Sequence, residues 1–366
     1  GKVVTSASQK ADVDKNEIML DGKPFVVKKQ IYLMLNKPKG YVSATEDKKQ
    51  QTVLELVPPA LKGRDLFPAG RLDKDTTGLM IITDATVDAL YGKRCAVAFE
   101  SAGFKADKYV FPAGEANKTV DTLADILEFL AEERLTRTDC VVALGGGVTG
   151  DMAGFAAAVY LRGIRCVQLP TTLLSAVDSS VGGKTAIDLP VGKNLVGAFY
   201  QPKRVLIDPD LLKTLPPRQL SNGLAEAVKM ALTSDKELFA IFESKDIESN
   251  LDEIIIRSLN IKKNVVERDE KETGLRKILN FGHTIGHALE SYYVDKENFL
   301  THGEAVALGI YSSLYLSVKY CGLDEKWLFF YEMWFKGNLD LMNLNDFDVD
   351  EIMKYISHDK KNKGGK

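Results

Sequence analysis

The apolar positions of this chain follow two rhythms. Up to about residue 84 they come as short runs broken by polar turns. Asp21-Gly22 reads as a hairpin turn between IML and a strand around PFVVKK. QIYLMLNKPKGYVSA reads as a strand ending in a Lys/Pro/Gly loop, and 51–69 as a short helix with a Pro-containing loop. GRLDKDTTGLMIITD reads as a turn, an acidic loop and an apolar strand over Gly78–Thr83. After Asp84 helix and strand alternate. VDALYGKRCAVAFESAGF is helical in pattern, and KYVFPAGE is a strand running into a loop. TVDTLADILEFLAEER carries apolar residues at three- and four-residue spacing. CVVAL and RCVQLP are buried-type strands, and GGGVTGDMAGFAAAVYLRG between them opens on glycines and continues as a helix. A β-α-β order of this kind predicts a parallel sheet with covering helices. From about Leu211 helical patterns dominate through Tyr355, which puts a boundary near 208–212, after VLIDPD. The expected class is α/β, with a small α+β or β fragment over 1–84, a parallel-sheet domain over 85–210 and a mainly helical domain over 211–366.

Composition adds limits. With 366 residues, 45% of them apolar and 27% charged, the chain can build two or three ordinary cores. A net charge of −3 predicts no strong overall attraction to nucleic acid or anionic membrane. The charge is split, with 14 Lys and Arg against 11 acidic residues through Ala85 and 34 against 40 thereafter. Cys95, Cys140, Cys166 and Cys321 form no CxxC pair and fit free thiols in a reducing cytosol. The first residues lack a signal-type apolar core, and no apolar run reaches the ~18 residues of a membrane span. The expected location is cytoplasmic.

Three of the 4 histidines, His283, His287 and His302, fall within one short stretch. His283 and His287 are four apart in NFGHTIGHALE and share a helix face. His302 opens HGEAVALG, and Glu226 in SNGLAEAVKMAL supplies a helical carboxylate with Lys229 one turn later. Any one of these histidines alone reads more readily as a cap or a satisfied core residue. Clustered, with a carboxylate available, they describe an open, catalytic metal site for zinc or cobalt. Gly145, Gly147 and Gly150 lie between a strand and a helix, the setting for a pyrophosphate cradle. The acidic residue usual about twenty positions on is absent, so a tight packing turn fits this motif equally well. PTTLLSAVDSSVGGKTAIDLPVGKNLVGAFYQP concentrates Thr171, Thr172, Asp178, Lys184, Lys193 and Asn194, with Arg162 before it and Lys262 and Arg276 after. Lys193-Asn194 reads as part of a Pro/Gly loop. Scattered cations usually form a solvated face, but Lys184 directly after two glycines suits close approach to phosphate or polyol groups. PAGEANK, with Glu115 and Lys118, ends another strand.

These segments, with FYQP, LKTLPPRQLSNGLAEAVK and LNFGHTIGHALE in order, resemble 3-dehydroquinate synthases from Asp84 to the end of the chain. The resemblance implies zinc held by Glu226, His283 and His302. It implies NAD against Asp84, Glu115, Lys118, Gly147, Val148, Thr149, Gly150, Asp151, Thr171, Thr172, Lys184, Lys193, Lys213 and Thr214. It gives substrate contacts to Asp178, Lys184, Asn194, Lys229, Lys262, Arg276, Asn280 and His287, with Arg162 reaching a phosphate across a homodimer interface. The implied substrate is a sugar phosphate, 3-deoxy-arabino-heptulosonate 7-phosphate. The implied sequence is oxidation of a secondary alcohol by NAD at the metal, elimination of phosphate, return of the hydride, ring opening and aldol closure.

Residues 1–84 resemble something else. LNKPKGYVSAT and FPAGRLDKDTTGLMIITD are similar to small-subunit ribosomal RNA pseudouridine synthases, with Asp73 as the catalytic aspartate and Arg71 beside it. Residues 1–30 resemble the end of an RNA-binding domain and 31–84 the start of a catalytic one. The synthase sheet beyond Asp73 is missing, so RNA binding is not expected. The two resemblances meet at IITDATVDALY, where a fusion would preserve a strand. The opening strand and helix of the second family are then replaced, and the chain stops before that family's last elements, which would weaken activity. Other readings are pseudouridine synthesis through Asp73, a related sugar-phosphate cyclase making another carbocycle, and an inactive chimera.

Overall fold

The computed structural model describes residues 19–20, 23–24, 41–42, 44–47, 49, 51–61, 66, 78–244, 246–294, 296, 299–338 and 347–358. Asp73 and Arg71 lie outside the described residues, as does most of the stretch from Pro24 to Gly40. In the N-terminal part β1 (Met19–Leu20) pairs antiparallel with β2 (Lys23–Pro24), while the expected Asp21-Gly22 turn lies outside the described residues. Two short 3-10 turns follow, Val53–Leu56 and Pro59–Leu61, in place of the single expected helix.

The main sheet has five strands: β3 (Gly78–Asp84), β4 (Lys105–Phe111), β5 (Cys140–Gly145), β6 (Arg165–Pro170) and β9 (Arg204–Val205). Their order is β4-β3-β5-β6-β9, and every pairing is parallel. Parallel strands need crossovers, and helices provide them. Between β3 and β4 the chain forms α1 (Ala85–Val87), a π-type stretch (Asp88–Gly92) and α2 (Lys93–Ser101). α3 (Val120–Glu132) leads to β5, and α4 (Gly147–Val159) leads from β5 to β6.

The middle of β3, residues 79–82, is apolar throughout because the strand is covered on both faces. Met80 and Ile82 join Phe111, Ile126, Leu130, Val141 and the small residues of α4 in one core. Leu79 and Ile81 join Val87, Val142 and Leu144 on the opposite face, against Tyr91 and Phe99. Burial of each such side chain contributes about 1.5–3 kcal/mol, so the strand anchors both layers.

A second, two-stranded sheet pairs β7 (Lys184–Leu189) antiparallel with β8 (Gly192–Phe199). This corrects the reading of Lys193 and Asn194 as loop residues. In β7 the buried residues Thr185 and Ile187 stand at alternate positions, as on one face of a strand, and Pro190-Val191 turn between the two strands.

After β9 every described element is helical: a 3-10 turn (Pro209–Thr214), α5 (Pro217–Ser234), α6 (Lys236–Ser244), α7 (Leu251–Arg268), a 3-10 turn (Leu275–Asn280), α8 (His283–Tyr293), α9 (His302–Cys321), α10 (Lys326–Asn338) and α11 (Val349–His358). Their core gathers Leu224, Val228, Phe239, Ile254, Val306, Ile310, Tyr331 and Trp334. No helix of the described residues is long and apolar enough to cross a membrane.

Candidate active site

Helices α5, α8 and α9 meet at one cluster. Glu226 and Lys229 sit one turn apart on α5, and both are buried. His283 is the first residue of α8 and His302 the first of α9. The start of α9 is fixed from three sides. Thr301 and Glu304 form a capping box, Arg218 holds Glu304 through Nε at 2.7 Å and Nη2 at 2.8 Å, and Gly303 N donates to Asn222 Oδ1 on α5. A side chain at Gly303 would place its Cβ 2.2 Å from the Asn222 carbonyl oxygen, so glycine is what allows α9 to approach α5 so closely.

Ligand atoms of Glu226, His283 and His302 lie within 4.8 Å of one another. Glu226 Oε1 is 3.5 Å from His283 Nε2 and 3.6 Å from His302 Nε2, too far for good hydrogen bonds. That oxygen is buried with no hydrogen-bond partner. A buried acceptor left unmet costs about 1–3 kcal/mol and more when charged. A divalent cation between one carboxylate and two imidazoles would satisfy it, so the residues fit a metal with an open coordination position. Glu226 Oε2 accepts from Lys229 Nζ. Burial opposes the charge on Glu226, but Lys229 and the two histidines hold its carboxyl well below the usual range. Burial, with Lys229 nearby, pushes His283 well below the ordinary imidazole value. For His302 burial acts the same way, but the carboxylates of Glu226 and Glu290 outweigh it and raise it to about 10. His287 is one turn after His283, with ring centroids 5.2 Å apart.

The Gly-rich turn stands at the carboxyl end of β5, where parallel sheets bind ligands. Gly146 is the N-cap of α4, and Thr171 N donates to Gly145 O at 3.0 Å. A Cβ at Gly145 would come 2.4 Å from Thr149 Oγ1, so no larger residue leaves the turn its shape. The hydroxyl of Thr171 is buried without a hydrogen-bond partner beside this turn. Free backbone N–H groups at a helix N-terminus plus an unmet hydroxyl suit a dinucleotide pyrophosphate. Asp84 ends β3, and its Oδ1 accepts from Thr86 N and Val87 N while Thr149 Oγ1 donates to its Oδ2.

Other expected residues fall into adjoining ion-paired groups. Lys118 Nζ lies 2.6 Å from Asp151 Oδ2, 2.6 Å from Asn194 Oδ1 and 3.7 Å from Glu115 Oε1. Lys193 Nζ donates to Glu290 Oε1 at 2.8 Å, and Glu290 Oε2 lies 3.1 Å from His302 Nδ1. Lys262 Nζ donates to Asp178 Oδ1 and O, each at 2.7 Å, and burial lowers its pKa despite that carboxylate. Lys184 Nζ and Asn280 Nδ2 both donate to Glu272, each at 2.5 Å. Arg276 Nη2 donates to Gly182 O at 3.1 Å, two residues before Lys184. Thr214 meets Tyr91 OH at 2.5 Å, and Lys213 pairs with Asp210 on the surface. Arg162 is exposed, at φ 66.

Sequence reasoning missed Glu290, Glu272, Asp269 and Asn222. Glu290 follows His283 by seven positions, so helical counting of NFGHTIGHALE could have found it. The others carry no local signal.

Residues 108–222 match the 3-dehydroquinate synthase N-terminal family and 223–362 the C-terminal one. Residues 31–90 match the RNA pseudouridylate synthase family, a range that includes β3. The 3-dehydroquinate synthase of Acetivibrio thermocellus is 45% identical over 304 residues, which are 80% of this chain and 82% of that protein. That of Alkaliphilus metalliredigens is 44% identical, with 83% and 86% covered. Among solved structures, a 2-deoxy-scyllo-inosose synthase complexed with carbaglucose-6-phosphate, NAD+ and Co2+ is 29% identical, with TM-score 0.68 and coverage of 79% and 81%. The 2-epi-5-epi-valiolone synthase of Streptomyces hygroscopicus subsp. jinggangensis 5008, with NAD+ and Zn2+ bound, is 26% identical, with TM-score 0.70 and coverage of 89% and 88%. An open carboxylate–histidine cluster, a Gly-rich turn on a parallel sheet and these two matched halves agree: the chain belongs to the 3-dehydroquinate synthase family.

Proposed function

We propose that this chain converts 3-deoxy-arabino-heptulosonate 7-phosphate into 3-dehydroquinate and phosphate. The observation that carries the proposal is the unmet Glu226 Oε1 between His283 and His302, in a chain whose two halves match this family. Glu226, His283 and His302 hold a zinc or cobalt ion, and the turn Gly147–Asp151 with Thr171 holds NAD. Bound there, the pair supplies a polarised alcohol oxygen and a reversible acceptor for its hydride.

The protein's own residues bind and orient. Lys184 and Asn280, both turned to the Glu272 carboxylate, offer two donors to an anionic group of the substrate. Arg276 adds a guanidinium fixed by Gly182 O and Glu270 O. Lys229 fixes the Glu226 carboxylate, and Lys262 with Asp178 and His287 orient substrate hydroxyls. The burial of Glu226, Lys229 and Lys262 keeps water from the alcohol being oxidised. In this reading 85–210 is the nucleotide domain and 211–366 the metal and substrate domain. The protein is a cytoplasmic homodimer in which Arg162 reaches the partner's substrate.

Phosphate release from the heptulosonate phosphate, with zinc and NAD supplied, tests the reading against Glu226→Gln. Release by the parent and none by the variant is expected. A carbocycle other than 3-dehydroquinate as product would favour the related cyclases instead.

A further inference from the structure

We propose that Glu290 is a positioning residue for the metal, fixing the ring of His302 through Nδ1 and tying that ligand to Lys193 on β8. The proposal rests on the reading of Glu226, His283 and His302 as the metal cluster.

Among the described residues two trios have ligand-type atoms close enough for one ion: Glu226, His283, His302, and His287, Glu290, His302. They share His302, so the two carboxylates must be told apart. Glu226 Oε1 has no hydrogen-bond partner and faces two Nε2 atoms. Glu290 has both oxygens engaged. Its Oε1 accepts from Lys193 Nζ at 2.8 Å, and its Oε2 lies 3.1 Å from His302 Nδ1. A carboxylate held on both oxygens is placed to hold a ligand, not to be one.

The geometry at His302 gives that hold a chemical meaning. With a metal bound, a proton shared between Nδ1 and Glu290 would leave the Nε2 lone pair to the ion, on the side of Glu226 Oε1, which lies 3.6 Å from Nε2. An anionic acceptor on the far nitrogen fixes ring and tautomer and makes the coordinating nitrogen more basic. His283 is held differently, with Nδ1 3.2 Å from the Phe281 carbonyl, a neutral acceptor. The two imidazoles therefore differ in donor strength.

The second oxygen of Glu290 reaches out of the helical layer. Lys193 is 97 residues away in sequence, on the strand whose next residue, Asn194, meets Lys118 beside Asp151 of α4. One carboxylate thus links a metal ligand to the hairpin that borders the Gly-rich turn. Its side chain is 13% exposed and that of Lys193 34%, so the link is partly sheltered from water.

The test is transfer of metal from the loaded full-length protein to a chromophoric chelator, for the parent, Glu290→Ala, Glu290→Gln and Lys193→Met. Visible spectra of the cobalt-loaded forms are recorded in parallel. Every variant is expected to load one ion per chain. Glu290→Ala should lose about 10- to 100-fold in metal affinity and shift the cobalt bands. Glu290→Gln, whose amide oxygen still accepts from Nδ1, should lose less, and Lys193→Met should shift the bands in the same direction. If Glu290→Ala does not fold, Glu290→Gln and Lys193→Met decide. Unchanged affinity and spectra overturn the proposal. So does complete loss of the ion from a folded Glu290 variant, which would make Glu290 a ligand. Glu226→Gln is the control for the underlying reading: full-affinity metal in that variant sinks the cluster itself, whatever Glu290 does.

Discussion

Thr149 Oγ1 donates to Asp84 Oδ2 at 3.3 Å, joining the last residue of β3 to the first turn of α4. Asp84 lies in the range matching RNA pseudouridylate synthases and Thr149 in the range matching 3-dehydroquinate synthases. The contact therefore crosses from one family resemblance to the other, at the turn that would hold NAD. Asp84 also caps the helix after β3 through Thr86 N and Val87 N.

Asp84→Ala removes that cap and the contact to Thr149. Loss of a cap of this kind costs about 1 kcal/mol, up to about 2. The expected result is a lower urea midpoint at unchanged m-value and NAD binding weakened several-fold by calorimetry. NAD affinity equal to the parent's would show that the crossing contact does not shape the turn.

Metal should stabilise the parent and not Glu226→Gln. An ion at 100 times its Kd adds about 2.7 kcal/mol to the native state, a rise of a few degrees in Tm for a chain of this size. Scanning calorimetry with and without excess zinc checks this. A metal-dependent rise of the same size in the variant contradicts the assignment of Glu226 as a ligand.

Metal binding should release protons. His302 without metal is raised to about 10 by the carboxylates of Glu226 and Glu290, which outweigh its burial, while burial keeps His283 neutral. A raised imidazole stabilises the fold fully below its unfolded value near 6.5 and loses that contribution as pH rises through about 10. At pH 8 the metal therefore displaces a proton from His302, about one per ion. Calorimetry in two buffers of different ionisation enthalpy measures the number, and a value near zero would contradict the geometry.

Asp269 organises the segment that presents Arg276. Its carboxylate accepts from Thr273 N at 2.8 Å, Gly274 N at 2.7 Å and Arg276 N at 2.9 Å. The N–H groups of Arg276, Gly274 and Thr273 hold its carboxyl far below the ordinary value. Its stabilising contribution is therefore present above about pH 4 and fades as pH falls below that. Asp269→Ala should reduce kcat/KM by about 10- to 100-fold through a misplaced guanidinium and leave metal content unchanged. Unaltered steady-state kinetics would refute the positioning role.

No pseudouridine synthesis is expected. β3 falls within the matched range, yet β4 and β5 occupy both its edges, so its backbone groups are committed to the parallel sheet. A flipped uridine needs a formed pocket to recover a few kcal/mol of unstacking. Tritium release from ribosomal RNA should match background for both the parent and Asp73→Asn. Turnover in the parent that vanishes in the variant would reverse this reading.

Short-range regularities were legible in the sequence. The alternation of strands and helices after Asp84, the apolar strand over Gly78–Thr83, the glycine turn after CVVAL and the shared face of His283 and His287 all follow from apolar runs, from helical spacing and from the backbone freedom of glycine. Glu226 and His302 could be named because their types suit a metal, but their meeting across 76 positions was implied only by resemblance. The tertiary structure alone decided which partner each charge takes. Lys184 meets Glu272 across 88 positions, Lys193 meets Glu290 across 97, and Lys193 and Asn194 stand on a strand where a loop was expected. Such pairs leave no local periodic trace. They form where packed helices and a hairpin bring backbones close, as at Gly303 against Asn222, and where burial makes an unpaired charge too costly to leave unmet.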